Sequence, residues 1–348
     1  MPGKYSTTSI IILAALAATG LKGAAADESG LAGTQWQTPA DDLLEVLHAP
    51  WMPRAWTAPT GEYLLLADWV LYPPLEELAA PMHKLAGLRV DPERNFNHGR
   101  HGCTAPRLVR VEDGEVFPLD LPTGAEVYHV DYTADGQRFA LTVIHPDHVG
   151  LWVGSVDGQL REMEDIALNT LLGGPARWAP DQQSLLALRV PERGDPPEPP
   201  AIPAGPQVAE GADETARSTY EARDLLQTAY DDSLFGYYCQ SEPVLVDPAN
   251  GEITVLGAPA HYYNVQHSPD GEYILAERYV GPWSHEVSWW RFAREIEVWD
   301  RNGDPVATVA SLPLADQVPV HGVTTGPRWV VWRASAPHEL YWLEALDG

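Results

Sequence analysis

Cysteine and lysine are scarce in this chain of 348 residues, and acidic residues far outnumber basic ones. Two cysteines cannot staple a fold of this size, so a disulfide-rich scaffold is excluded. Only three lysines occur, and 49 Asp and Glu against 22 Lys and Arg give a formal net charge of -27. Nucleic-acid phosphates and anionic membrane surfaces would repel that charge, so we expect neither as a partner. An apolar content of 45% is too high for a mainly disordered chain.

The sequence also lacks the motifs of several enzyme classes. It contains no Gly-x-Ser-x-Gly elbow, no His-Glu-x-x-His pair, no Walker loop and no Gly-x-Gly-x-x-Gly fingerprint. The segment Gly154–Gly158 (GSVDG) has its glycines in the wrong register for an elbow and is typical of a hairpin turn. We therefore predict no catalytic residue, no cofactor-binding residue and no cofactor.

The N-terminus has the pattern of an export signal. Lys4 lies in a short polar start, an apolar run of 12 residues follows from Ile10 to Leu21, and Ala24–Ala26 supplies the small residues that a signal peptidase requires. A membrane anchor is the alternative, but a spanning helix needs about 20 apolar residues. We expect residues 1–26 to be a signal peptide, no membrane association after its removal, and a periplasmic or secreted protein.

Three groups of side chains can be compared with disulfide and metal chemistry. In an oxidising compartment Cys103 and Cys239 can form one bridge, but the sequence leaves open whether they do so or remain separate thiols. His98, His101 and Cys103 are close together in the chain, yet a zinc site needs a fourth ligand at a suitable spacing, which is missing. Residues 91–97 alternate oxygen-bearing side chains, but the glycine placement departs from that of a calcium loop. We interpret both as polar loops and predict no metal.

A repeated unit of turn and strand runs through the middle of the sequence. A tight turn of the Pro-Asp-Gly type is followed each time by β-forming residues. The four examples are APTG before EYLLLAD (58–68), TADG before QRFALTVI (133–144), APDQ before QSLLALRV (179–190) and SPDG before EYILAERYV (268–280). Partner strands that end in Asp-Gly or Asn-Gly turns follow at 150–158, 242–252 and 296–304, which is a hairpin signal.

The spacing of these turns predicts the architecture. The turn positions 61, 136, 182 and 271 are 75, 46 and 89 residues apart, and a period near 45 is typical of a four-stranded propeller blade. A β-sandwich is the alternative. We predict an all-β fold, a partial β-propeller of about four to five blades, over residues 27–348.

Two stretches interrupt the repeat. Residues 193–240 form a predicted insertion: 193–205 are Pro-rich and should be extended, whereas 212–238 have a helical pattern. The tract WSHEVSWWRF (283–292) is rich in aromatic residues. It can provide an exposed binding surface, although packing within the propeller is the more usual role of such residues.

An ordered series of segments resembles the prolyl oligopeptidase family of serine peptidases, and in particular its glutamyl endopeptidase-like branch. The resemblance extends from about Pro39 to Gly348. Its most specific segments are PMHKLAGLRVDP (81–92), Gly205-Pro206, RSTYEARDLL (217–226), DDSLFGYY (231–238), SPDGEYILAERY (268–279), EVWD (297–300), SLPLADQVPVHGVTTGPRWVVWR (311–333) and LYWLEALDG (340–348).

The resemblance implies an N-terminal propeller that admits peptides to a C-terminal α/β-hydrolase domain with a Ser, Asp and His triad. No residue of that triad can be placed on this sequence, so we expect the hydrolase domain to be absent from this chain and the chain alone to be inactive. The expected partners are peptide substrates, through the parent enzyme, and the missing domain. We also expect an incomplete propeller to aggregate or oligomerise. The alternative is a self-sufficient exported propeller that binds a peptide or protein.

Overall fold

The computed structural model describes residues 39–201, 223–319 and 322–345. The predicted signal peptide, residues 1–26, lies outside these ranges. The described helices are α1 (Asp41–Leu47), α2 (Leu75–Leu78), α3 (Ala229–Tyr238) and a 3-10 turn at Trp289–Arg291. No helix among the described residues has both the length and the apolar character needed to cross a bilayer.

Strands dominate the described residues, which confirms the all-β prediction. In chain order they are β1 (Arg54–Thr57), β2 (Tyr63–Trp69), β3 (His83–Leu85), β4 (Leu88–Asp91), β5 (Phe96–Asn97), β6 (Cys103–Arg110), β7 (Val116–Pro118), β8 (Glu126–Tyr132), β9 (Arg138–Ile144), β10 (Val149–Ser155), β11 (Leu160–Ala167), β12 (Arg177–Trp178), β13 (Leu185–Arg189), β14 (Glu242–Val246), β15 (Ile253–Val255), β16 (His261–His267), β17 (Tyr273–Tyr279), β18 (Arg294–Asp300), β19 (Pro305–Leu312), β20 (Arg328–Trp332) and β21 (Leu340–Leu343).

The strands are grouped into blades of four antiparallel strands in sequential order. Blade 1 is β1-β2-β6-β7, blade 2 is β8-β9-β10-β11, blade 3 is β12-β13-β14-β15 and blade 4 is β16-β17-β18-β19. Blades 1 and 2 are also joined by one residue pair, Cys103 with Val127. Strands β20 and β21 form a further two-stranded sheet. Four blades and a two-stranded fifth sheet match the predicted partial propeller.

The predicted turns connect the first and second strands of each blade. The amide at Gly61, Gly136, Gln182 and Gly271 donates to the carbonyl three residues earlier, at 2.8, 2.8, 2.9 and 2.9 Å. The backbone φ at these positions is +74°, +69°, +57° and +76°. Glycine adopts this left-handed conformation without steric penalty, whereas Gln182 adopts it at a cost. The same local geometry therefore recurs in every complete blade.

The unequal spacing of the turns results from long connections between the second and third strands of a blade. In blade 1 this connection spans 70–102 and contains α2 and the small sheet β3-β4-β5. In blade 3 it spans 190–241, contains α3 and corresponds to the predicted Pro-rich and helical insertion. A shorter connection, 280–293, contains the 3-10 turn in blade 4.

An apolar core fills each space between neighbouring blades. Because successive side chains of a strand point to opposite faces, one strand serves two cores. Leu185 of β13 packs in the core with blade 2, and its neighbour Leu186 packs in the core with blade 4. In the same way Ile274 of β17 faces blade 3, and Leu275 faces β20 and β21. This alternation explains why the middle strands are apolar along both faces.

The helical part of the insertion is shorter than the sequence pattern predicts. Helix α3 begins at Ala229, and residues 223–228 are not helical; residues 212–222 of the predicted stretch lie outside the described ranges. A capping box starts the helix: the Thr228 hydroxyl accepts from the Asp231 amide, and the Asp231 carboxylate accepts from the Thr228 amide at 2.9 Å. The prediction over 212–238 was wrong for 223–228 because the pattern of apolar residues does not register such a cap.

Candidate functional site

The connections between the second and third strands of blades 1, 3 and 4 pack together, with Leu171 and Leu172 from the segment between blades 2 and 3, into a further apolar core, which we call the clasp. Each connection supplies buried apolar side chains, and the clasp lies outside the cores between blades. Its buried members are Leu85, Ala86, Leu88, Val90, Leu171, Leu172, Leu226, Leu234, Phe235, Tyr238, Cys239, Tyr279, Val287 and Phe292. The ring of the fully buried Phe235 has its centroid 4.9 Å from that of Trp283 and 5.5 Å from that of Phe292.

Hydrogen bonds join the three connections across the clasp. The Gly87 amide donates to the Asp224 carbonyl at 2.8 Å, and the Trp289 amide donates to the Ala86 carbonyl at 2.9 Å. The backbone at Gly87 lies close to blade 4, since a Cβ on this residue would lie 3.0 Å from the Ser288 hydroxyl oxygen. The backbone φ of Gly87 is +92°, which also favours glycine. The turn at Gly87 is therefore held by blade 3 on one side and by blade 4 on the other.

Asn169 attaches the clasp to the segment that leads from blade 2 to blade 3. Its side-chain amide donates to the carbonyls of Tyr238 and Gln240, both at 2.8 Å. Its side-chain oxygen accepts from the Leu171 amide at 3.1 Å. Asn169 is 1% exposed, so its polar atoms have exchanged water for these partners.

A cavity of about 530 Å³ opens against the clasp and is rich in arginine. Its lining includes Arg89, Arg100, Arg223, Asp224 and Trp290. Arg89 donates to Asp224 at 2.8 Å. Burial opposes ionisation of Asp224, but the Arg89 and Lys84 partners outweigh it and lower the pKa of this carboxyl group. Three arginines and one aspartate are thus among the residues that line this cavity.

The aromatic tract 283–292 contributes both to packing and to this cavity. Trp283, Trp289 and Phe292 pack in the clasp, whereas Trp290 is 49% exposed and lines the cavity. Neither of the two roles considered for the tract therefore describes it completely, because one side of the 3-10 turn is buried and the other is open.

The structure places the three candidate metal ligands of blade 1 in separate environments. His98 lines the arginine-rich cavity. His101 Nδ1 lies 3.7 Å from Glu77 and 3.8 Å from Glu126, and Cys103 is buried in β6. Within the described ranges the ligand atoms of these three residues do not form a metal-binding cluster. Cys103 and Cys239 are both buried free thiols.

The oxygen-bearing side chains of residues 91–97 have protein partners. The Asp91 carboxylate accepts from the backbone amides of Glu93 and Arg94, at 3.0 and 3.3 Å, and from the Arg94 side chain at 2.7 Å. The Asn95 side-chain oxygen accepts from Arg193 at 2.9 Å. These oxygens organise a turn and attach it to the blade 3 connection.

Sequence reasoning missed one group of possible ligands in blade 2. His145 and His148 are in the turn between β9 and β10, and Glu162 is on β11; their ligand atoms all lie within 4.8 Å of one another. The signal in the sequence was the His-Pro-Asp-His turn (145–148). The sequence does not predict that Glu162 joins them. Its position opposite Trp152 depends on a register shift in the pairing of β10 with β11.

Comparison with curated proteins identifies the relatives of this chain. It is 30% identical over 331 residues to the probable chloroplastic glutamyl endopeptidase of Oryza sativa subsp. japonica, which covers 90% of this chain and 35% of the relative. The corresponding Arabidopsis thaliana protein is 31% identical over 340 residues, covering 92% and 35%. This chain is a propeller portion related to the glutamyl endopeptidases of the prolyl oligopeptidase family. It spans about a third of the length of these glutamyl endopeptidases.

Solved structures with a similar arrangement are more distant than the glutamyl endopeptidases. The Pyrococcus horikoshii acylaminoacyl peptidase is 11% identical, with 76% of this chain and 32% of that chain covered and a TM-score of 0.39. The tricorn protease is 9% identical, with 82% and 23% covered and a TM-score of 0.40. The assignment of blades rests on the strand pairing of this chain. No protein-family model matches the chain.

Proposed function

We propose that this chain is the N-terminal propeller of an exported serine peptidase of the glutamyl endopeptidase type, and that it limits access to the hydrolase domain to peptides. The observation that carries the proposal is the identity of 30–31% over nine-tenths of the chain. Acyl transfer, with its nucleophile, base and oxyanion donors, would take place in the hydrolase domain. This chain would contribute screening and selection. The apolar run Ile10–Leu21 and Ala24–Ala26 support export.

The arginine-rich cavity supports selection of peptides that carry a carboxylate. Guanidinium groups bind carboxylates through charge-assisted and often bidentate hydrogen bonds. Arg89 already shares Asp224 with Lys84, at 2.8 and 3.4 Å, whereas Arg100 donates to the neutral Tyr128 hydroxyl at 2.8 Å. Arg100 is therefore the guanidinium best placed to receive an incoming acidic side chain. Trp290 would provide an apolar wall for the peptide.

The test begins with the coding sequence beyond Gly348. If the frame continues into a hydrolase domain with a Gly-x-Ser-x-Gly elbow, the complete product is assayed with two fluorogenic peptides that differ only in Glu against Gln. We expect Arg100→Gln to lower kcat/KM for the Glu peptide roughly five- to tenfold and to leave the Gln peptide nearly unchanged. Arg301→Gln is the control, because Arg301 is exposed and lies 3.8 Å from its ion-pair partner Glu272.

Different outcomes contradict different parts of the proposal. An equal effect on both peptides would refute selection by the cavity and leave the screening role standing. If the frame stops at Gly348, the peptidase role fails for this molecule. The alternative of a self-sufficient binding propeller is then tested by fluorescence anisotropy of the same two peptides with the chain itself.

A further inference from the structure

Two histidines and a glutamate converge at one end of blade 2. Glu162 Oε1 lies 3.3 Å from His145 Nε2 and 3.2 Å from His148 Nε2. The two imidazole rings are stacked, with their centroids 4.4 Å apart and their planes within 3°. Glu162 Oε1 is therefore as close to each histidine nitrogen as two ligands of one small metal ion are, and the three ligand atoms all lie within 4.8 Å of one another. Because the rings are parallel, one of them must rotate for both nitrogens to point at the same ion.

The hydrogen bonds around this cluster leave lone pairs facing one another. Trp152 Nε1 donates to His145 Nε2 at 3.1 Å, so this nitrogen carries no proton. Glu162 Oε1 and His145 Nε2 are thus two acceptors 3.3 Å apart. Two acceptors this close repel each other. The arrangement is stabilised if His148 donates a proton to Glu162, or if a cation lies between Glu162 and His145.

The surroundings resemble the outer shell of a metal site. Asp147 Oδ1 lies 2.8 Å from His148 Nδ1 and accepts its proton, as the outer-shell carboxylate of a metal-bound histidine does. His148 Nε2, which lies 3.2 Å from Glu162 Oε1, can then bind a metal when it carries no proton. Gly150 keeps the space open: a Cβ there would lie 2.8 Å from Glu162 Oε1 and 3.0 Å from His145 Nε2. His145 is buried, whereas the side chains of His148 and Glu162 are each 32% exposed. A cation can enter from that side and keep a water ligand.

We propose that His145, His148 and Glu162 bind a Zn²⁺ ion with a water molecule in the fourth position, and that the ion ties the β9–β10 turn to β11. Two imidazole nitrogens and one carboxylate form a donor set that zinc favours over calcium or magnesium. Binding replaces the contact from Trp152 to His145 by a metal bond. The inference concerns only blade 2 and does not depend on the peptidase role.

The test uses the purified chain without a histidine tag. Calorimetry and competition with a chromophoric chelator measure Zn²⁺ affinity and stoichiometry, and thermal melts measure stabilisation. We expect one ion per chain, a higher Tm with Zn²⁺, and affinity reduced by more than about a hundredfold in His148→Ala and Glu162→Gln. Asp147→Asn, which alters only the outer shell, should weaken binding by roughly 10- to 100-fold.

His338→Ala is the matched control, because His338 is an exposed histidine with a single carboxylate partner, Asp270, at 2.7 Å. It should bind Zn²⁺ as the wild type does. No saturable binding by the wild type would show that a proton on His148 alone bridges to Glu162, and would overturn the proposal. So would an unchanged affinity in a folded His148→Ala variant, with folding checked by circular dichroism.

Discussion

Asn169 provides a direct test of how the clasp is attached to the blades. Asn169→Ala removes three hydrogen bonds, two to the carbonyls of Tyr238 and Gln240 and one from the Leu171 amide. A net hydrogen bond stabilises a folded protein by about 1 kcal/mol, and a buried group left without a partner costs about 1–3 kcal/mol. We therefore expect the substitution to lower the free energy of unfolding by roughly 3–5 kcal/mol.

The assay is urea denaturation followed by tryptophan fluorescence and circular dichroism. Asn250→Ala is the control, because Asn250 is exposed and its side-chain oxygen accepts one backbone bond, from Glu252 at 2.8 Å. It should cost about 1 kcal/mol or less. If Asn169→Ala is no more destabilising than Asn250→Ala, the three buried bonds do not hold the clasp and the reasoning is refuted.

Three further outcomes follow from burial and exposure. Burial lowers the pKa of His261 to about 4; because the unfolded chain then binds a proton that the folded chain does not, the free energy of unfolding should fall by up to about 3 kcal/mol from pH 7 to pH 4. His261→Gln should flatten that profile in urea melts at each pH, and an unchanged slope would contradict the assignment. Burial also raises the pKa of the Cys103 and Cys239 thiols, so a thiol reagent should label neither in the native chain and both in urea; labelling of the native chain would disprove this. Tyr341 and Trp342 are 54% and 42% exposed on β21, so replacing both with Lys should reduce the self-association measured by light scattering, and an equally associated variant would count against this surface.

The fold was largely predictable because its repeat is local. The turns at Gly61, Gly136 and Gly271 need a left-handed residue in the same place, and glycine marks it in the sequence. The turn at Gln182 was predictable only from the residues before it. The two-residue alternation then identifies the strands that follow each turn.

The clasp and the His145 cluster were not predictable, because both depend on contacts distant in the chain. The backbone bond from Gly87 to Asp224 joins two connections whose lengths the repeat does not determine. Glu162 reaches His145 through a register shift between β10 and β11, and no local pattern encodes such a shift. The start of α3 differs in that the Thr228 and Asp231 cap is a local signal, which the spacing of apolar residues does not show.

The clasp changes the order in which the blades can separate. In a repeat array each unit contacts only its neighbours, so the end units can peel away one at a time. Here the connections of blades 1, 3 and 4 share one apolar core, and contacts run from blade 1 through blades 2, 3 and 4 and back to blade 1. Separation of blade 1 from blade 2 must therefore also expose the apolar side chains of this shared core. Every blade is thereby linked to the others by more than its contacts with its neighbours in sequence. We expect the four blades to unfold together in one transition.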